Sequence, residues 1–314
     1  MSKHLVDPEL LDLLTLIPTV SLNAEILPAI RANGITFPSD PQAVDAVKLT
    51  ERKVKGPADA PDVGLLIYTP RSASDKLPCI FHIHGGGYVR GSPSELSGVH
   101  LKLALDANAV VVSVDYRLAP ETRFPGAIED CYAALSWVFL NADDLGIDAR
   151  RVGVMGESAG GGLAAALALL VRDRGEHTLH FQHLIYPMLD DRTCVTSDPH
   201  PHTGHFIWTQ KSNTFGWESL LGVLPGSSNV SSYAAPARED NLAGLPPTYI
   251  ATGGLDLFLE EDMEYARRLM RHGVIVELHV YPGAYHVFNV APYAHVAVNA
   301  RRDSLVALKR ALHR

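Results

Sequence analysis

The sequence predicts an α/β protein with a mostly parallel central sheet, helices on both faces and a helical cap; three observations predict it. Apolar, strand-like runs alternate with helical patterns from Cys79 onward, the order that builds a parallel sheet covered on both sides. A glycine-flanked serine, Gly156-Glu157-Ser158-Ala159-Gly160, falls directly between one of these strands and the next helix. Between Pro187 and Pro236 the alternation lapses into a stretch rich in Ser, His, Pro and Trp, long enough to be an insertion rather than a connection.

Residues 1–45 show helix-like apolar spacing interrupted by Pro8, Pro18, Pro28, Pro38 and Pro41, which predicts short helices joined by turns, an arm that joins the cap. Val47 to Val54 and Val63 to Tyr68 read as the strands of a hairpin, and Cys79 to Ile83, broken only by His82, as a buried strand. Ala109 to Asp115 is the next strand and Pro125 to Leu140 a helix. Arg151 to Met155 follows as strand, Ala159 to Arg174 as helix and Phe181 to Tyr186 as strand. After the insertion, Thr248 to Thr252 reads as strand and Glu260 to Arg271 as a helix whose apolar stripe includes Leu259, Met263, Ala266 and Met270. A strand from Val274 to Tyr281 and a helix from about His295 end the chain. The expected division is an arm (1–45), an α/β core (46–186), a cap insertion (187–235) and the rest of the core (236–314).

The chain has 314 residues, 46% hydrophobic and 20% charged, with a formal net charge of −8, an ordinary globular balance able to build a large core. With no basic run, nucleic acid is not an expected partner. Cys79, Cys131 and Cys194 are odd in number and widely spaced, which fits neither a disulfide framework nor a metal or redox motif and points to a reducing cytoplasm. Residues 1–12 lack the basic and apolar regions of a signal peptide, and no apolar run is long enough to span a membrane.

The chemistry is carried by separated motifs. In a Gly-x-Ser-x-Gly turn between strand and helix, the serine sits on a sharp, strained bend, because a Cβ at either glycine would collide with the strand or helix. Ser158 is therefore the expected nucleophile. His84-Gly85-Gly86-Gly87 follows the strand ending at Ile83, and consecutive glycines let main-chain N–H groups point into a cavity where an oxyanion forms. Ala159 would supply a further N–H. His84 precedes the glycines and is read as a brace for their backbone rather than a base.

A serine hydroxyl needs a base within reach and a carboxylate to fix the base's tautomer. Asp256, in Gly253-Gly254-Leu255-Asp256, and His286, in Gly283-Ala284-Tyr285-His286, each follow a predicted strand, in the chain order Ser, Asp, His expected of the α/β-hydrolase fold. The competing acids Glu260, Glu261 and Asp262 are read as complements to a helix dipole. Along the last strand, Glu277 and His279 should share one face and Leu278 and Val280 the other. His200, His202 and His205 cluster in the insertion, but without an acidic or cysteine ligand beside them no metal site is expected.

With these residues in hand, the chain resembles the hormone-sensitive-lipase family of esterases, bacterial esterase family IV, from about residue 45 onward. The match rests on His84-Gly85-Gly86-Gly87, Gly156-Glu157-Ser158-Ala159-Gly160-Gly161 and Asp115-Tyr116-Arg117-Leu118-Ala119-Pro120-Glu121, extended by Phe124-Pro125, Glu129-Asp130, Leu245-Pro246-Pro247 and Tyr281-Pro282-Gly283. The resemblance implies Ser158, Asp256 and His286 as a triad and the N–H groups of Gly86, Gly87 and Ala159 as the oxyanion hole, with no cofactor. It also implies a small-molecule ester of short to medium acyl chain as substrate, and a homodimer through the edge strand near Val274 to Tyr281 and the last helix. Gly85 and His84 would support the hole, while Tyr88, Glu157 and Tyr186 are candidates for the substrate pocket. Two departures stand out: Leu257 follows the acid where the family often has Pro, and Val287 follows the histidine where it often has Gly. A non-catalytic ligand receptor of the same fold and an amidase or peptidase with the same triad are the alternatives.

Overall fold

A computed structural model describes residues 2–313. Two three-residue helical turns, Lys3–Leu5 and Pro8–Leu10, and the short helices α1 (Leu13–Leu16), α2 (Leu27–Ala32) and α3 (Pro41–Ala46) form the arm. The eight strands β1 (Val47–Val54), β2 (Val63–Pro70), β3 (Leu77–Ile83), β4 (Val110–Asp115), β5 (Ile147–Glu157), β6 (Gln182–Ile185), β7 (Thr248–Gly253) and β8 (Val276–Tyr281) make one sheet. Its order is β1-β2-β4-β3-β5-β6-β7-β8; β2 pairs antiparallel with β1 and β4, and every other pairing is parallel.

Strand periodicity divides the core into two layers. Cys79, Phe81 and Ile83 face one side with Val110, Val112 and Val114, under α5 (Gly126–Leu140), α6 (Ala159–Arg174) and α8 (Leu259–Arg271). Ile80 and Val111 face the other, under α4 (Ser97–Ala107) and α9 (His295–Leu312). Helix α6 is buried from Ala159 through Val171, which explains why its sequence is apolar on every face.

Three features depart from the sequence reading. Helices α4 and α7 (Gln210–Leu221) were not expected. The anticipated stripe on α8 is also wrong in part: Met263 and Met270 are 45% and 52% exposed, and the buried face is Asp262, Tyr265, Ala266 and Leu269, continuing the line of Phe258. Two polar-tipped side chains in that line conceal a proper 3.6-residue period. Nor does the helix dipole account for all three acids that open α8, since Glu261 and Asp262 are buried. Glu261 accepts from the amides of Leu189 (2.7 Å) and Asp190 (3.3 Å) and from the Thr193 hydroxyl, tying α8 to the start of the insertion.

Arm and insertion meet each other. The Thr19 hydroxyl accepts from the amide of Ile207, and Ser212 Oγ accepts from Leu22 N while donating to Val20 O. His202 and His205 face the hydroxyl of Ser2. The arm also holds the loop after β8: Asp7 N donates to Gly283 O at 3.0 Å and the Tyr285 hydroxyl to Leu10 O at 2.7 Å. On β8, His279 stacks on Tyr281 and approaches the Glu277 carboxylate, a strand-face position as expected. No helix among the described residues is long and apolar enough to cross a membrane.

Candidate active site

Strand β5 ends at Glu157 and α6 begins at Ala159, so the whole reversal falls on Ser158, whose φ of 56° and ψ of −122° lie where few side-chain-bearing residues go. The flanking glycines make the bend possible. A Cβ on Gly156 would lie 2.3 Å from Gly160 O, and one on Gly160 would lie 2.1 Å from Ile83 O. The strand end thus packs directly on the helix start, lifting the hydroxyl over the carboxyl edge of the sheet.

Asp256 lies just beyond β7 and His286 just beyond β8, as the strand-end argument requires. His286 Nδ1 lies 2.8 Å from Asp256 Oδ2, and Nε2 lies 2.9 Å from Ser158 Oγ. Because a carboxylate only accepts, Nδ1 carries the hydrogen and Nε2 is left to accept from the serine. The other carboxylate oxygen accepts from Phe258 N at 3.0 Å. All three side chains are buried, Ser158 most accessibly at 6%.

The glycine loop after β3 faces this line. Gly86 and Gly87 take φ values of 123° and 62°, and the amides of Gly86, Gly87 and Ala159 have no acceptor among the described residues. His84 is tied to this loop. Its Nδ1 donates to Gly85 O at 2.9 Å, its ring stacks on Tyr116 at 4.3 Å, and the Tyr116 hydroxyl donates back to His84 O. Burial pulls the His84 imidazole down to about 4, so it is neutral at physiological pH. The Asp115–Glu121 segment supports the same loop: Arg117 clamps the buried Asp130, and Glu121 holds Arg31, which also donates to Val89 O and Ala119 O.

Of the pocket candidates, only Tyr186 touches the reacting line. Its ring meets His286 edge-on at 4.7 Å, and its hydroxyl donates to Asn289 Oδ1 at 2.6 Å. Burial, with Glu157 and Asp256 nearby, pushes this phenol well above its usual value and keeps it protonated. Tyr88 is 1% exposed, packs on Trp217 and donates to Met188 O. Its positive φ of 66° sets this direction, which a sequence pattern does not reveal. Glu157 is engaged by His82 Nε2 at 2.9 and 3.0 Å. Val287 adopts a φ of 68°, the left-handed conformation that suits the glycine it replaces.

Two residues went unread. Phe258 meets the His286 ring edge-on at 5.2 Å, and Trp208 lies 6.2 Å from it. Phe258 had a signal in its place two residues after Asp256; Trp208 had only its aromatic character within the insertion.

Residues 80–290 match the family model described as alpha/beta hydrolase fold. Carboxylesterase NlhH of Mycobacterium tuberculosis is 35% identical over 98% of this chain and 97% of its own. Esterase LipI of the same organism is 32% identical over 99% and 97%. Among solved structures, a bacterial heroin esterase superimposes with a TM-score of 0.91 at 36% identity, covering 100% of both chains. Esterase LipW from Mycobacterium marinum gives 0.83 at 31%, covering 100% of this chain and 98% of its own. The elbow, the glycine loop and this likeness along the whole chain agree: the protein belongs to the alpha/beta-hydrolase-fold family, within its hormone-sensitive-lipase-like esterases.

Proposed function

We propose that this esterase cleaves carboxylic esters of short to medium acyl chain through an acyl-enzyme on Ser158. The observation that carries the reading is the continuous line Asp256 Oδ2–His286 Nδ1 and His286 Nε2–Ser158 Oγ, at 2.8 and 2.9 Å. His286 Nε2 takes the hydroxyl proton as Oγ bonds to the ester carbonyl carbon, and the carbonyl π pair moves onto oxygen. The amides of Gly86, Gly87 and Ala159 donate to that oxyanion, an interaction that strengthens as charge develops. Collapse expels the alkoxy oxygen, which takes the proton from His286. Water then repeats the attack with the same base, and the acid leaves. Asp256 stabilises the transient imidazolium while holding its tautomer.

Arm 1–45 and insertion 187–235 together form the cap of this reading, supported by the Thr19–Ile207 and Val20/Leu22–Ser212 bonds. An imidazole in reach of the hydroxyl favours an enzyme over a non-catalytic receptor. Ser158→Ala should lower kcat on p-nitrophenyl acetate by roughly 10⁴- to 10⁶-fold with an unchanged near-ultraviolet circular dichroism spectrum. A serine-directed phosphonate should label the parent and not the variant. Full turnover by Ser158→Ala would refute the assignment.

A further inference from the structure

We infer that Trp208 is a specificity-determining residue, the wall on the alcohol side of the ester, and that it favours flat, aromatic leaving alcohols. The inference rests on ester hydrolysis at Ser158. A Cβ built on Gly87 would lie 2.2 Å from Trp208 Cη2, so the indole edge lies directly against the glycine loop. The same indole approaches His286 at 6.2 Å between centroids, within the range of aromatic pairs. Phe258 and Tyr186 also meet His286, but the atoms nearest a Cβ built on Gly87 all belong to Trp208.

Stereochemistry turns this placement into a role. The tetrahedral carbon carries Ser158 Oγ, an oxyanion facing the amides of Gly86, Gly87 and Ala159, a leaving oxygen and the acyl carbon. The leaving oxygen has to face His286 Nε2, which gives it a proton. A side chain lying against both Gly87 and His286 therefore borders the sector between oxyanion and leaving oxygen, and the acyl carbon occupies the remaining direction.

The indole is also held in place. Its Nε1 donates to Asn213 Oδ1 on α7 at 3.1 Å, and it is only 8% exposed. The preceding Ile207 has a left-handed φ of 59°, and its amide is fixed by Thr19 of the arm. A preorganised flat surface loses little entropy when an aromatic group packs on it.

Two substrate series test the inference. One varies the alcohol at constant acyl group (methyl, butyl and benzyl acetate, followed by pH-stat); the other varies the acyl group at constant alcohol (p-nitrophenyl acetate, butanoate and octanoate). In Trp208→Ala the benzyl-to-methyl ratio of kcat/KM should fall by roughly threefold to tenfold, while the octanoate-to-acetate ratio stays within about twofold. Trp208→Phe should keep most of the benzyl preference, and Asn213→Ala, which frees the indole without removing it, should lose part of it. These two variants carry the test if Trp208→Ala does not fold. An unchanged or rising benzyl-to-methyl ratio, or a change confined to the acyl series, overturns the inference. Absence of ester hydrolysis by the unaltered protein would instead overturn the proposed function.

Discussion

Asp256 uses both carboxylate oxygens, one on His286 Nδ1 and the other on Phe258 N, so its orientation is fixed independently of the imidazole. Asp256→Asn should retain the fold yet lower kcat by about 10³- to 10⁴-fold, because an amide can present a donor to Nδ1 and select the wrong tautomer. Steady-state kinetics beside a thermal melt would separate this loss from unfolding. Ser158, Asp256 and His286 were legible because each stands at the end of a recognisable strand, beside glycines that mark a sharp turn. The rest of the aromatic surroundings of His286 was not: Trp208 lies 78 residues before it (286 − 208), and no local pattern records their meeting. Val287 shows the same limit, since a β-branched residue held at a left-handed φ costs roughly 1–2 kcal/mol that composition does not display.

At the level of elements, α8 does more than cover β7. Glu261, on its first turn, collects the amides of Leu189 and Asp190 and the hydroxyl of Thr193, where the chain leaves the sheet for the insertion. Glu261→Ala would strand these buried donors and should destabilise the protein by about 1–3 kcal/mol in urea unfolding. The loss should also appear as faster amide exchange in residues 187–194; unchanged exchange there would show that the contact does not anchor the insertion. The strands, with α5, α6 and α9, were legible because a buried parallel sheet demands short apolar runs and the covering helices are long. Helix α7 was not. Its sequence, Gln210-Lys211-Ser212-Asn213-Thr214, opens with mostly weak helix formers, and what supports it is the Thr209 cap and burial of Trp217 and Leu220. The buried face of α8 was misread for a related reason, since Asp262 looks like a surface residue until the fold encloses it.

Across the whole molecule, burial holds several histidines neutral. His84 is pulled down to about 4 and His183 to about 3, and His100 falls well below its usual value, in each case chiefly by desolvation. In the unfolded chain these side chains protonate near about 6.5. At these three sites the unfolded state therefore binds more protons below that pH, which lowers folding stability as the medium is acidified from about 6.5 toward 4, while buried Glu261 and Asp262, held well above the usual carboxylate range by desolvation, act in the opposite sense. Tm measured at half-unit steps should decline between pH 6.5 and 5, where the three histidines outnumber the two carboxylates that oppose them; a constant Tm across that window would contradict the assignment. Residues 7–10 grip the loop at 283–285 that carries His286. The imidazole of His286 is thus seated by a clasp between segments 275 residues apart in sequence, so whatever loosens that clasp acts on the candidate site before it acts on the sheet.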